Sequence, residues 1–415
     1  MENASYPHTL WEERILKKQN QKGEKDGQSE KRRGHRKIFL AVFLIFFLIV
    51  IFYIVRVLFQ DKISILGSVF STLRNFSVSN ISKDGKIQRF ALGDEELVPM
   101  SILKYVPDGH ISKIEKNGDI TLFVSAHDKS YLMQGRTLKD MVLLAGMDGL
   151  PKPILKPDSG GFDKDYAGFG QVIENPETHD LIGIYHTEVR ISPDASDSQL
   201  TSIALALSKD KGFTWHKMGR IITGQNTTNP GTSVSGTGQP AGVIVGDYIY
   251  LYFSDWNRLM PDSIHLARSL LSQNGMPGTW EKYTEQGFRQ VGLGGKSVPV
   301  IVPFEWDRKI YYTANPSISF NEYLKKYLAI FETNIGFFAA TSEDAIDWNS
   351  HKLIFEFPKD TTASKSIGDI WYSYPTLLSE NTQTDMVTGK TGYLYYGRGI
   401  FGQDHQMVRR SFVIQ

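Results

Sequence analysis

The 415-residue chain contains no cysteine. That absence excludes a disulfide scaffold, a thiol nucleophile, cysteine-ligated zinc and iron–sulfur clusters. Net charge is nearly absent as well: 46 Lys and Arg stand against 45 Asp and Glu, which argues against a protein that coats nucleic acid. P-loops, His-Glu-x-x-His helices and dinucleotide fingerprints are missing, and no Gly-x-Ser-x-Gly sits at a strand-to-helix turn. No long amphipathic helix is legible after about residue 100. What is present is 41% apolar residues, 12% aromatics and 37 glycines, enough for a large core in a β-rich, turn-rich chain.

The balanced charge hides an asymmetry. Residues 14–37 hold ten Lys or Arg against three acids, and Ile38 to Val55 then runs without a charge or strongly polar group. As a helix that run is about 27 Å long, close to a bilayer's hydrocarbon thickness. No small-residue cleavage motif follows, so a membrane anchor is expected rather than a cleaved signal peptide. The positive flank predicts a cytoplasmic N-terminus and an external C-terminal bulk, periplasmic or extracellular. The expected layout is a basic tail over 1–37, a single transmembrane helix over 38–59, a Ser/Asn/Lys-rich stalk over 60–98 and a folded domain over 99–415.

That domain repeats. Five aromatic strands are expected at Ile120–Val124, Leu181–Tyr185, Tyr248–Phe253, Tyr327–Phe331 and Tyr393–Tyr396. Each follows a small, Pro- or Gly-containing opening. These are Pro107-Asp108-Gly109-His110-Ile111, Gly168-Phe169-Gly170-Gln171-Val172, Thr237-Gly238-Gln239-Pro240-Ala241, Ala314-Asn315-Pro316-Ser317-Ile318 and Tyr374-Pro375-Thr376-Leu377. Small-residue third strands follow at Ile203–Leu207, Ile264–Arg268 and Gly336–Thr341, each leading to a turn that ends in Trp215, Trp280 or Trp348. Spacings of roughly 55–75 residues suit four-stranded blades with long loops. The fold class expected is all-β, a five-bladed β-propeller.

Ser208–Trp215 (Ser-x-Asp-x-Gly-x-Thr-Trp) matches the Asp-box of sialidases. The wider blade rhythm, with Val106-Pro107-Asp108-Gly109-His110, Gly238-Gln239-Pro240 before Tyr248–Trp256, and Asn315-Pro316 before Tyr327–Phe331, resembles the five-bladed propellers of the arabinanase, β-xylosidase and fructosidase group over about residues 100–415. The resemblance implies a glycosidase with an acid at the start of the first blade and further acids on the following blades. Asp108 matches the first position. The later openings carry Gln171, Gln239, Asn315 and Tyr374 instead of acids. An axial calcium ion is also compatible with the resemblance, although no ligand set is legible.

Glycoside hydrolysis needs two carboxyl groups in different protonation states, often with a third charge to hold them apart. Asp108, Glu188 and Asp255 are the catalytic candidates. In Tyr185-His186-Thr187-Glu188-Val189-Arg190, strand alternation sends His186 and Glu188 to one face. Glu188 is then the expected acid and Asp108 the base or nucleophile. His110, Gln171, His186, Arg190, Trp256, Arg258, Trp371, Tyr372 and Arg398 are the expected substrate contacts: aromatic platforms for sugar faces and cations for anionic groups. Arg190 can equally pair with Glu188, and Pro-Asp-Gly is also an ordinary turn. The expected function is action on an external polysaccharide or other glycan. A non-catalytic glycan- or envelope-protein-binding propeller is the alternative, and an envelope scaffold a third.

Overall fold

The computed structural model describes residues 87, 89–100, 102–191, 198–225, 234–256, 262–306, 309–358, 368–400 and 403–415. It is an all-β ring of five blades. Blade 1 comprises Ser112–Lys116, Asp119–Ala126, Lys129–Gly135 and Val142–Leu143; blade 2 comprises Tyr166–Glu174, Leu181–Arg190, Gln199–Ser208 and His216–Ile222. Blade 3 comprises Ser235–Val245, Tyr248–Trp256, Ser263–Leu270 and Glu281–Thr284, extended by Gly287–Val291. Blade 4 comprises Ala314–Asn321, Lys326–Glu332, Gly336–Ser342 and Asn349–Glu356. Blade 5 comprises Ile370–Leu378, Thr391–Ile400 and His405–Ile414, and its outer strand is Phe90–Leu97 from the far end of the chain.

The five expected aromatic strands are the second strands of the five blades. They are apolar throughout because both faces are covered. In blade 3, Ile249, Leu251, Tyr252 and Phe253 are all fully buried, packed with neighbouring blades in one core. The Trp turns close each third strand. In Ser208–Trp215 the Asp210 carboxylate accepts the Thr214 N–H at 2.9 Å, and Trp215 Nε1–H donates to the Gly212 carbonyl at 2.9 Å. Gly212 sits at φ +89 with Phe123 2.6 Å from where a Cβ would lie, so this turn needs glycine twice over.

The domain begins earlier than the expected residue 99. Phe90–Leu97 pairs antiparallel with His405–Ile414, from Phe90 opposite Ile414 to Leu97 opposite Val408. Its alternation is masked by the acids that lock it: Glu95 accepts from the Tyr396 hydroxyl at 2.6 Å and binds Arg398 and Arg410, while Glu96 accepts from Arg409 at 3.0 Å. Charged residues that read as stalk are therefore the clasp of the ring. Among the described residues no helix is long and apolar enough to cross a membrane, and the run over 38–59 lies outside them.

Further links join each blade to the next near the axis. Ser125 Oγ–H donates to the Phe169 carbonyl (2.8 Å) between blades 1 and 2, and the Gly242 N–H to Gln171 Oε1 (2.7 Å) between blades 2 and 3. The Asn315 N–H donates to Ser254 Oγ (3.1 Å) between blades 3 and 4, and Ser373 Oγ–H to Glu332 between blades 4 and 5. His405 Nε2 lies 2.8 Å from the Pro107 carbonyl, joining blade 5 to blade 1.

If the clasp closes the ring through charge-assisted bonds, Glu95→Ala destabilises the fold by about 1–3 kcal/mol, because it leaves the Tyr396 and Arg398 donors without their acceptor. A urea titration of Glu95→Ala, Arg398→Ala and the double variant checks this. The two single effects should fail to add.

Candidate active site at the axial mouth

The inner strands of blades 2 to 5 meet the mouth at a bulge. Register slips occur at Phe169/Gln171, Gly238/Ala241, Ala314/Ser317 and Ser373/Thr376, on blades 2 to 5. In blades 3, 4 and 5 the bulge is a left-handed residue before proline: Gln239 (φ +52), Asn315 (φ +51) and Tyr374 (φ +60). A bulky residue in that region costs on the order of 1–3 kcal/mol and persists only where the surroundings enforce it. In blade 2 the same place is Gly170, where a Cβ would lie 2.2 Å from the Pro240 carbonyl.

Asp108 stands at the head of blade 1, its N–H donating to the Ser125 carbonyl at 2.9 Å. It is half-buried. Loss of solvent and the nearby negative charge of Glu188 push its carboxyl up to about 7, against the hydroxyls of Tyr374 and Tyr166. The Tyr166 hydroxyl also donates to the Asp108 carbonyl at 2.7 Å. Glu188 lies 3.1 Å from His186 Nε2. The His186 ring is wedged between Tyr166 (5.2 Å) and Trp256 (5.9 Å). Gly238 makes room for both rings: a Cβ there would lie 2.3 Å from His186 Nδ1 and 2.6 Å from Trp256.

A third carboxylate is Glu332, which the sequence reading missed. It is fully buried at the end of blade 4's second strand. It accepts from the Tyr312 hydroxyl (3.1 Å), Asn315 Nδ2–H (2.7 Å) and Ser373 Oγ–H. Tyr374 feels Asp108, Glu332 and Glu188 together, and burial with these charges raises its hydroxyl. The expected strand stopped at Phe331, one residue short. Counting blade 4 one position further, to the level where blade 3 carries Ser254, is the signal that finds Glu332.

Asp255, expected as the third acid, stands elsewhere. Burial pushes it up to about 6, but its charged neighbours are Lys282 and Asp262, not Asp108 or Glu188. Alternation explains this. Asp255 shares a face with Phe253, which stacks on His265, whereas Ser254 and Trp256 on the other face reach Asn315 and His186.

His110 and Gln171 lie in the hub beneath the mouth. Both stand 2.9 Å from one oxygen of Asp385, whose other oxygen accepts the Lys113 N–H at 2.8 Å. Gln171 also bonds Ser112 and Gly242. Their polar atoms are committed to joining blades, which leaves them no role as the substrate contacts expected. The same arrangement does not fit an axial calcium ion. Both oxygens of the axial carboxylate are occupied by N–H donors, and among the described residues no group of three or more His, Asp or Glu side chains is disposed to hold a metal.

Tyr372 and Arg398 also lie away from the axis. Tyr372 belongs to an aromatic wall with Phe355 and Phe357, and Arg398 binds Glu95 in the clasp. Arg190 is exposed; its N–H donates to Asp165 at 2.6 Å. Trp371 packs on His405 (4.4 Å) and Tyr374 (5.5 Å) at the blade 5 side of the mouth. Arg258 lies outside the described residues.

Known structures share this architecture. A family 117 glycoside hydrolase from Zobellia galactanivorans aligns over 79% of this chain and 91% of its own, at 10% identity and a TM-score of 0.50. A thermostable family-43 glycoside hydrolase aligns over 76% and 91%, at 13% identity and a TM-score of 0.46. A Penicillium chrysogenum α-L-arabinanase, solved with arabinobiose, covers 79% and 99%, at 12% identity and a TM-score of 0.45. The likeness is one of fold, a five-bladed β-propeller. No protein-family description and no curated protein sequence matches the chain.

The raised Asp108 carboxyl sets a pH dependence of stability. Below about pH 4 the group is protonated folded or unfolded. Between about 4 and 7 the unfolded chain ionises first, so folding loses stability as pH rises, by up to roughly 4 kcal/mol. Asp108→Asn should therefore match the parent at pH 4 and exceed it in stability at pH 8. Urea melts of both proteins at the two pH values check the sign.

Proposed function

We propose that this chain is a membrane-anchored glycoside hydrolase-like protein acting on an extracytoplasmic polysaccharide or glycan by carboxylate acid/base chemistry. The observation that carries the reading is the Asp108–Glu188 pair, in which one carboxyl is pushed to about 7 by burial and by its neighbour's charge. Near neutral pH such a group exchanges a proton readily, which is what protonating a glycosidic oxygen requires. In this reading Asp108 hands on the proton and Glu188 is the charge across the mouth, available to a water or a developing oxocarbenium ion. That reverses the roles expected from the sequence. His186 bonds Glu188 and fixes its direction, and Tyr374 and Tyr166 hold Asp108. Trp256 and Trp371 offer aromatic faces for sugar rings.

The anchor rests on the uncharged run over 38–59 and its basic flank. The closing strand starts at Phe90 beside Ile414, at the end of blade 5 away from His405 and the mouth.

A non-catalytic glycan-binding propeller is the second reading. The amide and phenol side chains at the blade 3, 4 and 5 bulges favour it, since none can exchange a proton near neutrality in the way a carboxyl can.

Reducing-end release from polysaccharides, measured with Glu188→Gln beside the parent, separates the two. Catalysis predicts that the variant binds the glycan but loses at least about a hundredfold in turnover. Full activity in the variant removes Glu188 from the mechanism, and a parent that binds glycan without releasing any end supports the second reading.

A further inference from the structure

The backbone device repeated on blades 3, 4 and 5 presents three side chains at the mouth, and two of them have work inside the protein. The Asn315 amide donates to Glu332 and lies 2.9 Å from Ser373 Oγ. The Tyr374 hydroxyl is hydrogen-bonded to Asp108. Gln239 is different. It is only 7% exposed, yet its amide makes no hydrogen bond with any described residue. Its Oε1 reaches across to blade 1 and stands 3.0 Å from where a Cβ on Gly109 would lie, next to Asp108. Gly238, the residue before it, lies under the Trp256 ring. A largely buried residue in a strained backbone position, whose amide has no hydrogen-bond partner among the described residues, has no structural return there.

We propose that Gln239 is the specificity-determining residue of the mouth, its amide reading two adjacent hydroxyls of a neutral sugar unit stacked on Trp256 beside Asp108. The assignment rests on the glycan reading above. A primary amide offers one carbonyl acceptor and two N–H donors, which matches a vicinal diol presenting one hydroxyl as donor and the other as acceptor. It cannot exchange a proton near neutrality, so its part is recognition rather than chemistry. The neighbouring carboxylates Asp108, Glu188 and Glu332 disfavour a uronate or other acidic sugar in the same place, which leaves neutral sugars as the class.

The test uses the full-length chain, an immobilised panel of neutral oligosaccharides, and singly deoxygenated forms of whichever binds. The parent protein should discriminate against the deoxygenated ligand. Gln239→Leu, similar in volume, should weaken binding of the intact sugar by about tenfold or more and leave the deoxygenated ligand nearly unchanged, so that discrimination collapses. Gln239→Asn, one methylene shorter, covers the case in which the leucine variant does not fold, and should lose discrimination in the same direction. Unchanged discrimination in a folded variant, with the parent binding glycan, overturns the Gln239 assignment alone. A parent that binds no glycan overturns the glycan reading and this inference together.

Discussion

Closure of the ring is the constraint on which the remaining structure depends. A blade in this chain is apolar on both faces, as the fully buried Ile249, Leu251, Tyr252 and Phe253 of blade 3 show. An open seam would expose two such faces and an unpaired strand edge at once. The chain avoids this by sending Phe90–Leu97 to the edge of blade 5 and clamping it through Glu95 and Glu96 to four partners. Only then do Asp108 of blade 1, Glu188 of blade 2, Glu332 of blade 4 and Tyr374 of blade 5 share one mouth, although they are far apart in sequence. The site is a product of topology before it is a product of any single strand.

Two aspartates near the same axis show how environment divides one residue type between structure and chemistry. Asp385 is buried deeper, yet three N–H donors from blades 1 and 2 meet its two oxygens. Lys113 reinforces it by reaching with Nζ to the carbonyls of Ser379 and Thr382 in the same loop. That carboxylate is a tie. Asp108 has two tyrosine hydroxyls against its own desolvation and against Glu188, and the balance tips toward the proton. A buried carboxylate with its donors supplied holds blades together, and one whose donors do not offset desolvation and a neighbouring charge is pushed toward its protonated form.

The blade rhythm was legible because it is written in local patterns. Doubly buried second strands read as aromatic runs, and Asp210, Gly212 and Trp215 serve a turn within eight residues. The site was legible only where one strand decides the matter. His186 and Glu188 share a face by simple alternation, and they are in fact 3.1 Å apart. Asp255 obeyed the same alternation and was misassigned because nothing local says which face of a blade looks toward the mouth. His110 and Gln171 read as site residues because their partner, Asp385, comes from a loop more than two hundred residues away. The clasp was hidden for the same reason: Glu95 and Glu96 look like solvated stalk until Arg398, Arg409 and Arg410 arrive.

The non-acidic blade openings, which set this chain apart from the pattern it resembles, follow from how much negative charge the mouth can hold. Three carboxylates already meet around Tyr374, and burial together with the charge of Glu188 pushes Asp108 toward the neutral form. A fourth acid at Gln239, Asn315 or Tyr374 would push further groups out of their charged state or force the blades apart. Uncharged side chains on the same strained bulges avoid that. Asn315 spends its amide holding Glu332 in place, Tyr374 spends its hydroxyl on Asp108, and Gln239 is left over. The asymmetry among three otherwise equivalent positions therefore has a direction: blades 1, 2 and 4 carry the charge, blade 5 tempers it, and blade 3 faces whatever enters.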